Sequence, residues 1–170
     1  MKYLMSFKLS IFAFTLFILA GCSASTNPNG TTTTPGSMIA TVNGQAWSSA
    51  VVTGLTGGAM ATRSSSGVVT VIGGATDLTE ITLFLTNPQV GTVSLGASAN
   101  LAAYSHGIDT SNAYFSLPSF SNFNPGSVTI TTFDTSKHQI SGQFHFIGRK
   151  AQNFSDTVNV TNGSFFEVEW

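Results

Sequence analysis

One paired pattern between Ser127 and Ile147 constrains the fold of this chain more than any other feature. Apolar and polar residues alternate from Ser127 to Phe133, a polar turn occupies Asp134 to Lys137, and a second alternating run extends from Gln139 to Ile147. Alternation with a period of two places successive side chains on opposite faces of a strand. We therefore predict an antiparallel hairpin. One face of its second strand would carry Ile140, Gly142, Phe144 and Phe146.

The rest of the chain after Met38 has the same character. Short β-branched or aromatic runs are separated by turn signals, and no segment shows the 3.6-residue apolar period of an amphipathic helix. Two Asn-Gly dipeptides, the strongest short hairpin signal, follow Val42 and Thr161. The second predicts a closing hairpin from Val158 to Trp170. The other predicted strands are Ala50–Thr53, Val68–Ile72, Ile81–Leu85 and Val90–Leu95.

These patterns predict an all-β fold, an antiparallel β-sandwich or barrel-like sheet of about 8–10 short strands. The stretch between Leu95 and Ala113 is predicted to be irregular, because it lacks a clear alternation. Trp47 follows a tight hairpin at the start of the domain, so we expect its side chain to lie in the core. Residues 38–170 are predicted to form one domain.

Residues 1–22 have the layout of an export signal. A lysine-containing amino-terminal region precedes a short apolar run from Leu9 to Ala20, which is too short to span a bilayer because a spanning helix needs about twenty residues. Leu19-Ala20-Gly21-Cys22 resembles the lipobox of bacterial lipoproteins, and this resemblance implies acylation of the Cys22 thiol and cleavage between Gly21 and Cys22. We expect a signal peptide at 1–21. The alternative is an ordinary secreted protein in which Cys22 is incidental.

The segment after the cysteine predicts a flexible tether. Ser23 to Ser37 carries no charged residue and almost no apolar side chain, so it cannot repay the entropy cost of ordering. A flexible segment of this length reaches about 20–25 Å. Residues 22–37 are therefore predicted to consist of the lipidated cysteine and a flexible tether that holds the folded domain close to the membrane surface.

The charged residues and the cysteine exclude several classes of function. The basic residues beyond Cys22 are scattered and do not form the basic patch that a nucleic-acid partner needs. Cys22 is the only cysteine, so an internal disulfide, thiol catalysis and a thiolate metal site are excluded. We expect no nucleic-acid partner and no cofactor, with membrane contact through acyl chains on Cys22. The scattered basic residues are Arg63, Lys137, Arg149 and Lys150.

Three short motifs occur in order along the chain: V-N-G-x-x-W at Val42 to Trp47, G-x-x-T-I-T-x-F-D at Gly126 to Asp134, and T-N-G-x-F at Thr161 to Phe165. They resemble the opening, the hairpin and the ending of a family of uncharacterised lipoproteins from Bacteroidota. The resemblance covers most of the chain from residue 38. It implies an exported, lipid-anchored β domain of a family without an established activity, and it transfers no catalytic residue.

The histidines and carboxylates lack the spacing of a metal or catalytic site. His138 and His145 would lie about 23 Å apart along one strand and on opposite faces, and no H-x-x-x-H, C-x-x-C or G-x-S-x-G pattern occurs. We predict no metal site, no catalytic residue and no enzyme. An enzyme of unrecognised type would need at least two of four polar side chains to meet in a cleft, namely Arg63, Glu80, His106 and Asp109.

An aromatic-rich region is the remaining candidate for a binding site. Exposed aromatic side chains on a β scaffold stack on sugar rings or contact an apolar ligand, whereas buried ones would close one end of the sheet. Both readings stay open from the sequence. The candidate ligand-binding residues are Tyr104, Tyr114, Phe115, Phe120 and Phe123.

The function predicted from these observations is a membrane-anchored lipoprotein of the bacterial cell envelope, acting as a non-catalytic binding or structural module. A glycan- or small-ligand-binding module is the first alternative and an enzyme is the second. No acidic residue lies between Cys22 and Asp77, so the chain lacks the early acidic signal associated with surface display in some Bacteroidota. By that analogy we expect the outer membrane, facing the periplasm, with an envelope protein or a glycan as partner.

Overall fold

The computed structural model describes residues 34–50, 58–96, 99–107, 110–117 and 124–170. These residues are nearly all β, and an antiparallel sheet curls into a half-barrel, which confirms the predicted fold class. The described residues contribute eleven strands to the sheet, slightly more than the sequence predicted. No helix in the described part is long and apolar enough to cross a membrane. The predicted signal peptide, Cys22, nearly all of the tether and most of the Ala50–Thr53 strand lie outside the described residues.

The strand order differs from the chain order, and the sheet branches once. The main path is 2-1-11-10-8-7-5-4-3, strand 9 pairs with strand 10, and strand 6 pairs with strand 9. A short 3₁₀ helix at Thr110–Asn112 precedes strand 8. The strands are β1 (Ser37–Val42), β2 (Gln45–Ser48), β3 (Ala59–Arg63), β4 (Val68–Gly74), β5 (Thr79–Thr86), β6 (Gly91–Ser94), β7 (Leu101–His106), β8 (Tyr114–Phe115), β9 (Gly126–Asp134), β10 (Gln139–Lys150) and β11 (Asn153–Glu169).

The hairpin predicted between Ser127 and Ile147 is confirmed as β9 and β10. The Asp134 carboxylate accepts hydrogen bonds from the backbone N–H groups of Ser136 and Lys137 at 2.9 and 3.0 Å, and these bonds close the turn. The even-numbered residues from Ile140 to Phe146 are buried, whereas Gln143 and His145 are exposed. The residues that the alternation placed together on one face of β10 are thus the buried ones.

The predicted closing hairpin is wrong, because β11 continues through Asn162 and Gly163 to Glu169. Ser164 pairs with Ile39 and Thr161 pairs with Thr41, so two residues of β11 lie opposite one residue of β1. This is a β-bulge, which bends a strand without ending it. The strand pairs with β1 along one edge and with β10 along the other. A reversal at this point would break both ladders of hydrogen bonds.

A second bulge in β11 lies near its end. Val168 pairs with Ile140 and Phe165 pairs with Gly142, which leaves Glu167 displaced with a positive φ of 44°. Its backbone N–H donates to the Ser141 hydroxyl at 2.8 Å. This bond satisfies the hydroxyl of Ser141, which is buried although it lies on the otherwise polar face of β10. The bulges allow a strand as long as β11 to follow the curvature of the half-barrel.

Glycine and phenylalanine are packed against each other across β10 and β11. Phe144 pairs with Gly163, and a Cβ atom added to Gly163 would lie 2.5 Å from the Phe144 ring. The same arrangement recurs in reverse, because a Cβ on Gly142 would lie 2.7 Å from the Phe165 ring. Each ring therefore occupies the space that a neighbouring side chain would need. Both phenylalanines are buried and belong to the core.

Trp47 is buried in the core as predicted, with 8% of its surface exposed. Its indole Nε1 donates to the Thr79 hydroxyl at 2.7 Å, which satisfies the polar group of the buried ring. Thr79 begins β5, so this bond links β2, at one end of the strand order, to β5, which lies two strands from the other end. Buried Val69, Val71 and Leu83 extend the same core along β4 and β5.

Candidate functional site

Three neighbouring strands, β5, β7 and β8, lie side by side and form the candidate site. Thr82 pairs with Ala103 and Ala103 pairs with Phe115, so these residues form one row across the three strands. We call the surface on which this row lies the outer face. Side chains one residue along lie on the opposite, inner face. The row on the inner face is Ile81, Tyr104 and Tyr114.

The inner face belongs to the core. The Tyr104 and Tyr114 ring centroids are 6.3 Å apart, and both half-buried rings pack against the core. The Tyr114 hydroxyl donates to Asp156 at 3.1 Å, and Lys150 forms an ion pair with Asp156 at 2.9 Å. Burial is the main cause that raises the pKa of Tyr104. The two tyrosines therefore close one end of the core.

The outer face holds a pocket of about 550 Å³, within the size range of small-molecule sites. Phe84 and Phe115 are half-buried in its lining. Ala103 lies between Thr82 and Phe115 in the row, and its methyl group is too small to fill the space between them. The other residues that line the pocket in the described part of the chain are Gly74, Ala75, Leu78, Thr79, Glu80, Thr82, Ser105, Gly107 and Ala113.

The polar groups of the pocket lie on β5 and β7. The Thr82 hydroxyl donates to the Glu80 carboxylate at 2.7 Å. Ser105 is the register partner of Glu80 on β7 and also lines the pocket. Glu80 is exposed, so its carboxylate oxygens remain accessible to a bound molecule. Aromatic rings and hydrogen-bonding groups thus share one cavity.

The rim of the pocket includes a leucine in an unusual conformation. Leu78 has a φ of 64° and is 71% exposed. It lies in the turn between β4 and β5, where the Asp77 carboxylate accepts hydrogen bonds from the backbone N–H and the hydroxyl of Thr79 at 3.1 and 2.6 Å. Both bonds lower the pKa of Asp77, and the bond from the Thr79 hydroxyl has the larger effect. The Leu78 carbonyl accepts from the Gly107 N–H at 2.8 Å.

The structure divides the predicted aromatic region rather than gathering it. Tyr104 and Tyr114 lie on the inner face, whereas Phe115 lines the pocket. Phe120 and Phe123 lie outside the described residues. Phe84 was missed by the sequence reasoning, although the period of two along β5 places it on the same face as Glu80 and Thr82. The sequence did not show that this face borders a cavity.

The residues considered for catalysis do not meet among the described residues. Glu80 lines the pocket, His106 follows Tyr104 on the inner face, and the Arg63 guanidinium lies 5.6 Å from the Phe133 ring centroid. Asp109 is outside the described residues. His138 lies in the β9–β10 turn with its ring 6.0 Å from that of Trp170. In the described ranges no group of three or more His, Cys, Asp or Glu side chains is placed to hold a metal ion.

The fold and the pocket define a small all-β domain built on one curled antiparallel sheet. Residues 34–169 match the family Domain of unknown function (DUF6252), and the chain therefore belongs to that family. Searches of the curated proteins and of the solved structures found no match. The family agrees with the predicted membership of an uncharacterised family. The lipoprotein and Bacteroidota parts of that resemblance stay predictions.

Proposed function

We propose that this chain is a lipoprotein of the bacterial cell envelope, held by acyl chains on Cys22, whose β domain acts by binding rather than by catalysis. The observation that carries the proposal is Leu19-Ala20-Gly21-Cys22 behind a short apolar run. The domain boundary supports it, because β1 begins at Ser37 and the family match begins at residue 34. Both lie beyond Cys22 and leave room for a tether.

Durable attachment in this proposal requires more than one acyl chain. Burial of each methylene contributes about 0.8 kcal/mol, and a single chain binds a membrane only marginally. The lipobox resemblance implies the multiple acylation that would make attachment stable. The absence of an acidic residue between Cys22 and Asp77 supports an outer-membrane position that faces the periplasm. The partner would be an envelope protein or a glycan.

A non-catalytic role is supported by the positions of the candidate polar groups. Glu80 and His106 lie on neighbouring strands but on opposite faces, and Arg63 contacts Phe133 elsewhere. General acid–base catalysis needs such groups within hydrogen-bond reach of one substrate. The described lining of the pocket offers rings, hydroxyl groups and one carboxylate instead, which favours ligand binding as the more specific form of this function.

Attachment is tested with Cys22→Ala in the full-length chain, expressed in a bacterium that processes lipoproteins. Ser25→Ala, a change of a small residue in the same segment, is the matched control. We expect the wild type and the control to incorporate labelled palmitate and to sediment with membranes. Cys22→Ala should lose the label, and it should either leave the membrane fraction or keep its signal peptide. A Cys22→Ala protein that carries the label and fractionates and migrates like the wild type would overturn the proposal.

A further inference from the structure

We propose that the outer-face pocket between β5, β7 and β8 binds a neutral saccharide, with the apolar face of a sugar ring against Phe115 and its hydroxyl groups toward Glu80. This inference deepens the proposed binding role of the domain and does not depend on lipidation of Cys22. Three independent features of the described residues support it: the shape of the pocket, the chemistry of its lining and the strained leucine at its rim.

The shape of the pocket comes from small residues placed between larger ones. Across the three strands the row reads Thr82, Ala103, Phe115, so a single methyl group lies between a hydroxyl and a ring. Gly107 and Ala113 are also part of the lining. Larger residues at these places would fill the cavity. The cavity of about 550 Å³ is therefore built into the sequence of the strands.

The chemistry of the lining selects the class of ligand. Phe84 and Phe115 offer apolar ring surfaces, whereas Glu80, Thr82 and Ser105 offer hydrogen-bonding groups. No lysine, arginine or histidine is among the described lining residues, so a ligand anion would meet the Glu80 carboxylate without a compensating charge. A pyranose has an apolar face for stacking and an edge of hydroxyl groups that donate to carboxylates. It matches both parts of the lining.

The rim adds an observation that points to an occupant. Leu78 combines a φ of 64° with an exposed fraction of 71%. A left-handed conformation is unfavourable for leucine, and glycine or asparagine would adopt it at less cost. An exposed apolar side chain at a cavity rim gains free energy when a ligand covers it. The turn therefore carries a residue that is unfavourable for folding and favourable for binding.

The test is isothermal titration calorimetry on the full mature protein, purified in a zwitterionic detergent without a sugar headgroup. The probes are the neutral trisaccharides cellotriose, maltotriose, mannotriose and N,N′,N″-triacetylchitotriose, with choline as a cationic probe and trigalacturonate as an anionic one. We expect at least one neutral trisaccharide to bind more tightly than both charged probes. Binding of none of the four, or tighter binding of choline or trigalacturonate, would overturn the proposal.

Two variants locate the site, and a third serves as control. Phe115→Ala should weaken binding about tenfold through loss of the stacking surface. Leu78→Gly should weaken binding about threefold while its thermal midpoint equals or exceeds that of the wild type, because glycine relieves the positive φ. Val90→Ala changes an exposed apolar residue beside β6, 66% exposed and outside the pocket, and should bind like the wild type.

These outcomes separate this inference from the proposed attachment. If Leu78→Gly folds normally and neither Leu78→Gly nor Phe115→Ala changes the affinity, the saccharide site is not in this pocket and the inference is wrong. The Cys22→Ala fractionation result would be unaffected by that failure. Conversely, loss of the lipid anchor would leave the affinity of the pocket unchanged.

Discussion

The two Asn-Gly dipeptides that follow Met38 have opposite structural roles. At Asn43-Gly44 both residues have positive φ values, 48° and 81°, and the chain reverses from β1 into β2. This is the conformation that a two-residue hairpin turn requires. At Asn162-Gly163 only the asparagine has a positive φ, 51°, and the chain continues along β11. The same dipeptide forms a hairpin turn between β1 and β2 and a β-bulge within β11.

The surroundings of the two glycines explain the difference. A Cβ atom added to Gly44 would meet nothing within 4 Å, whereas one added to Gly163 would lie 2.5 Å from the Phe144 ring. Glycine is therefore needed at position 44 for its backbone conformation. At position 163 it is needed because the Phe144 ring occupies the space that a side chain would take. An Asn-Gly dipeptide indicates only which local backbone conformations are accessible. The strands on both sides of β11 decide which of these conformations occurs.

The largest effect that tests this comparison is expected from Gly163→Ala. The added methyl group forces the Phe144 ring or the β10–β11 pair to move, and overpacking of this kind costs about 1–3 kcal/mol. Gly44→Ala should cost about 1 kcal/mol, because only the left-handed conformation is penalised. Chemical denaturation of both variants, with the free energy of unfolding from linear extrapolation, measures the difference.

A double-mutant cycle controls for the cause of that loss. Phe144→Leu shortens the side chain above Gly163, so Gly163→Ala should cost less in the Phe144→Leu background than in the wild type. Residues in contact commonly show coupling of about 0.5–3 kcal/mol. Equal costs in the two backgrounds would show that the ring contact is not the reason for glycine at this position.

A smaller effect is expected from the two asparagines. Asn43→Ala loses the left-handed preference and also the bond in which the Asn43 side-chain oxygen accepts from the Asn159 N–H at 2.9 Å. We expect a loss of about 1–2 kcal/mol, and about 1 kcal/mol for Asn162→Ala. Thermal denaturation of each alanine variant beside its glycine counterpart gives the measurement. Asn162→Gly should be milder than Asn162→Ala, and equal losses would contradict the role assigned to the positive φ.

The smallest effect concerns a turn closed by a charge rather than by Asn-Gly. Hydrogen bonds from the Ser136 hydroxyl and the Lys137 backbone lower the pKa of Asp134 below its ordinary value of 3.8. A lowered pKa in the folded state contributes stability that is present above pH 3.8 and is lost as the pH falls through the lower folded value. Asp134→Asn should therefore destabilise the protein at pH 7 and flatten the decline of its stability below pH 4.

The control for this pH dependence is Asn43→Gly, which changes a turn without a titrating group. Unfolding by urea at a series of pH values from 7 down to about 2.5 would compare the variants. The Asn43→Gly profile should run parallel to that of the wild type. If the pH profile of the unfolding free energy of Asp134→Asn were also parallel to that of the wild type, Asp134 would not contribute to the acid sensitivity of the fold.

The sequence predicted the elements that local residues determine. The β9–β10 hairpin follows from alternation on both sides of one turn, and the burial of Trp47 follows from its place after a tight hairpin. Strand β7 escaped prediction because two residues of its first half, Ala102 and Ala103, have little β propensity. It is a strand because it lies between β5 and β8. Pairing between distant parts of the chain overrides such local preferences.

The pocket shows the same limit. Phe115 was recognised as a candidate, but its neighbours in the pocket depend on the register of β5, β7 and β8. Glu80 and Phe84 lie on one face of β5 by their spacing alone, yet nothing in that spacing shows that the face borders a cavity. Sequence reasoning can assign a residue to a face of its strand. The faces that meet are determined by non-local pairing.

The position of β1 has a mechanical consequence for a domain held by its amino terminus. β1 pairs with β2 on one edge and with β11 on the other, so the chain enters the fold through an interior strand. Its ladder bonds run perpendicular to the strand. A pull applied along the chain ahead of Ser37 would load these bonds together, in shear, instead of opening them one by one. A domain tethered through Cys22 would thus resist unfolding at β1, the strand to which the force is applied.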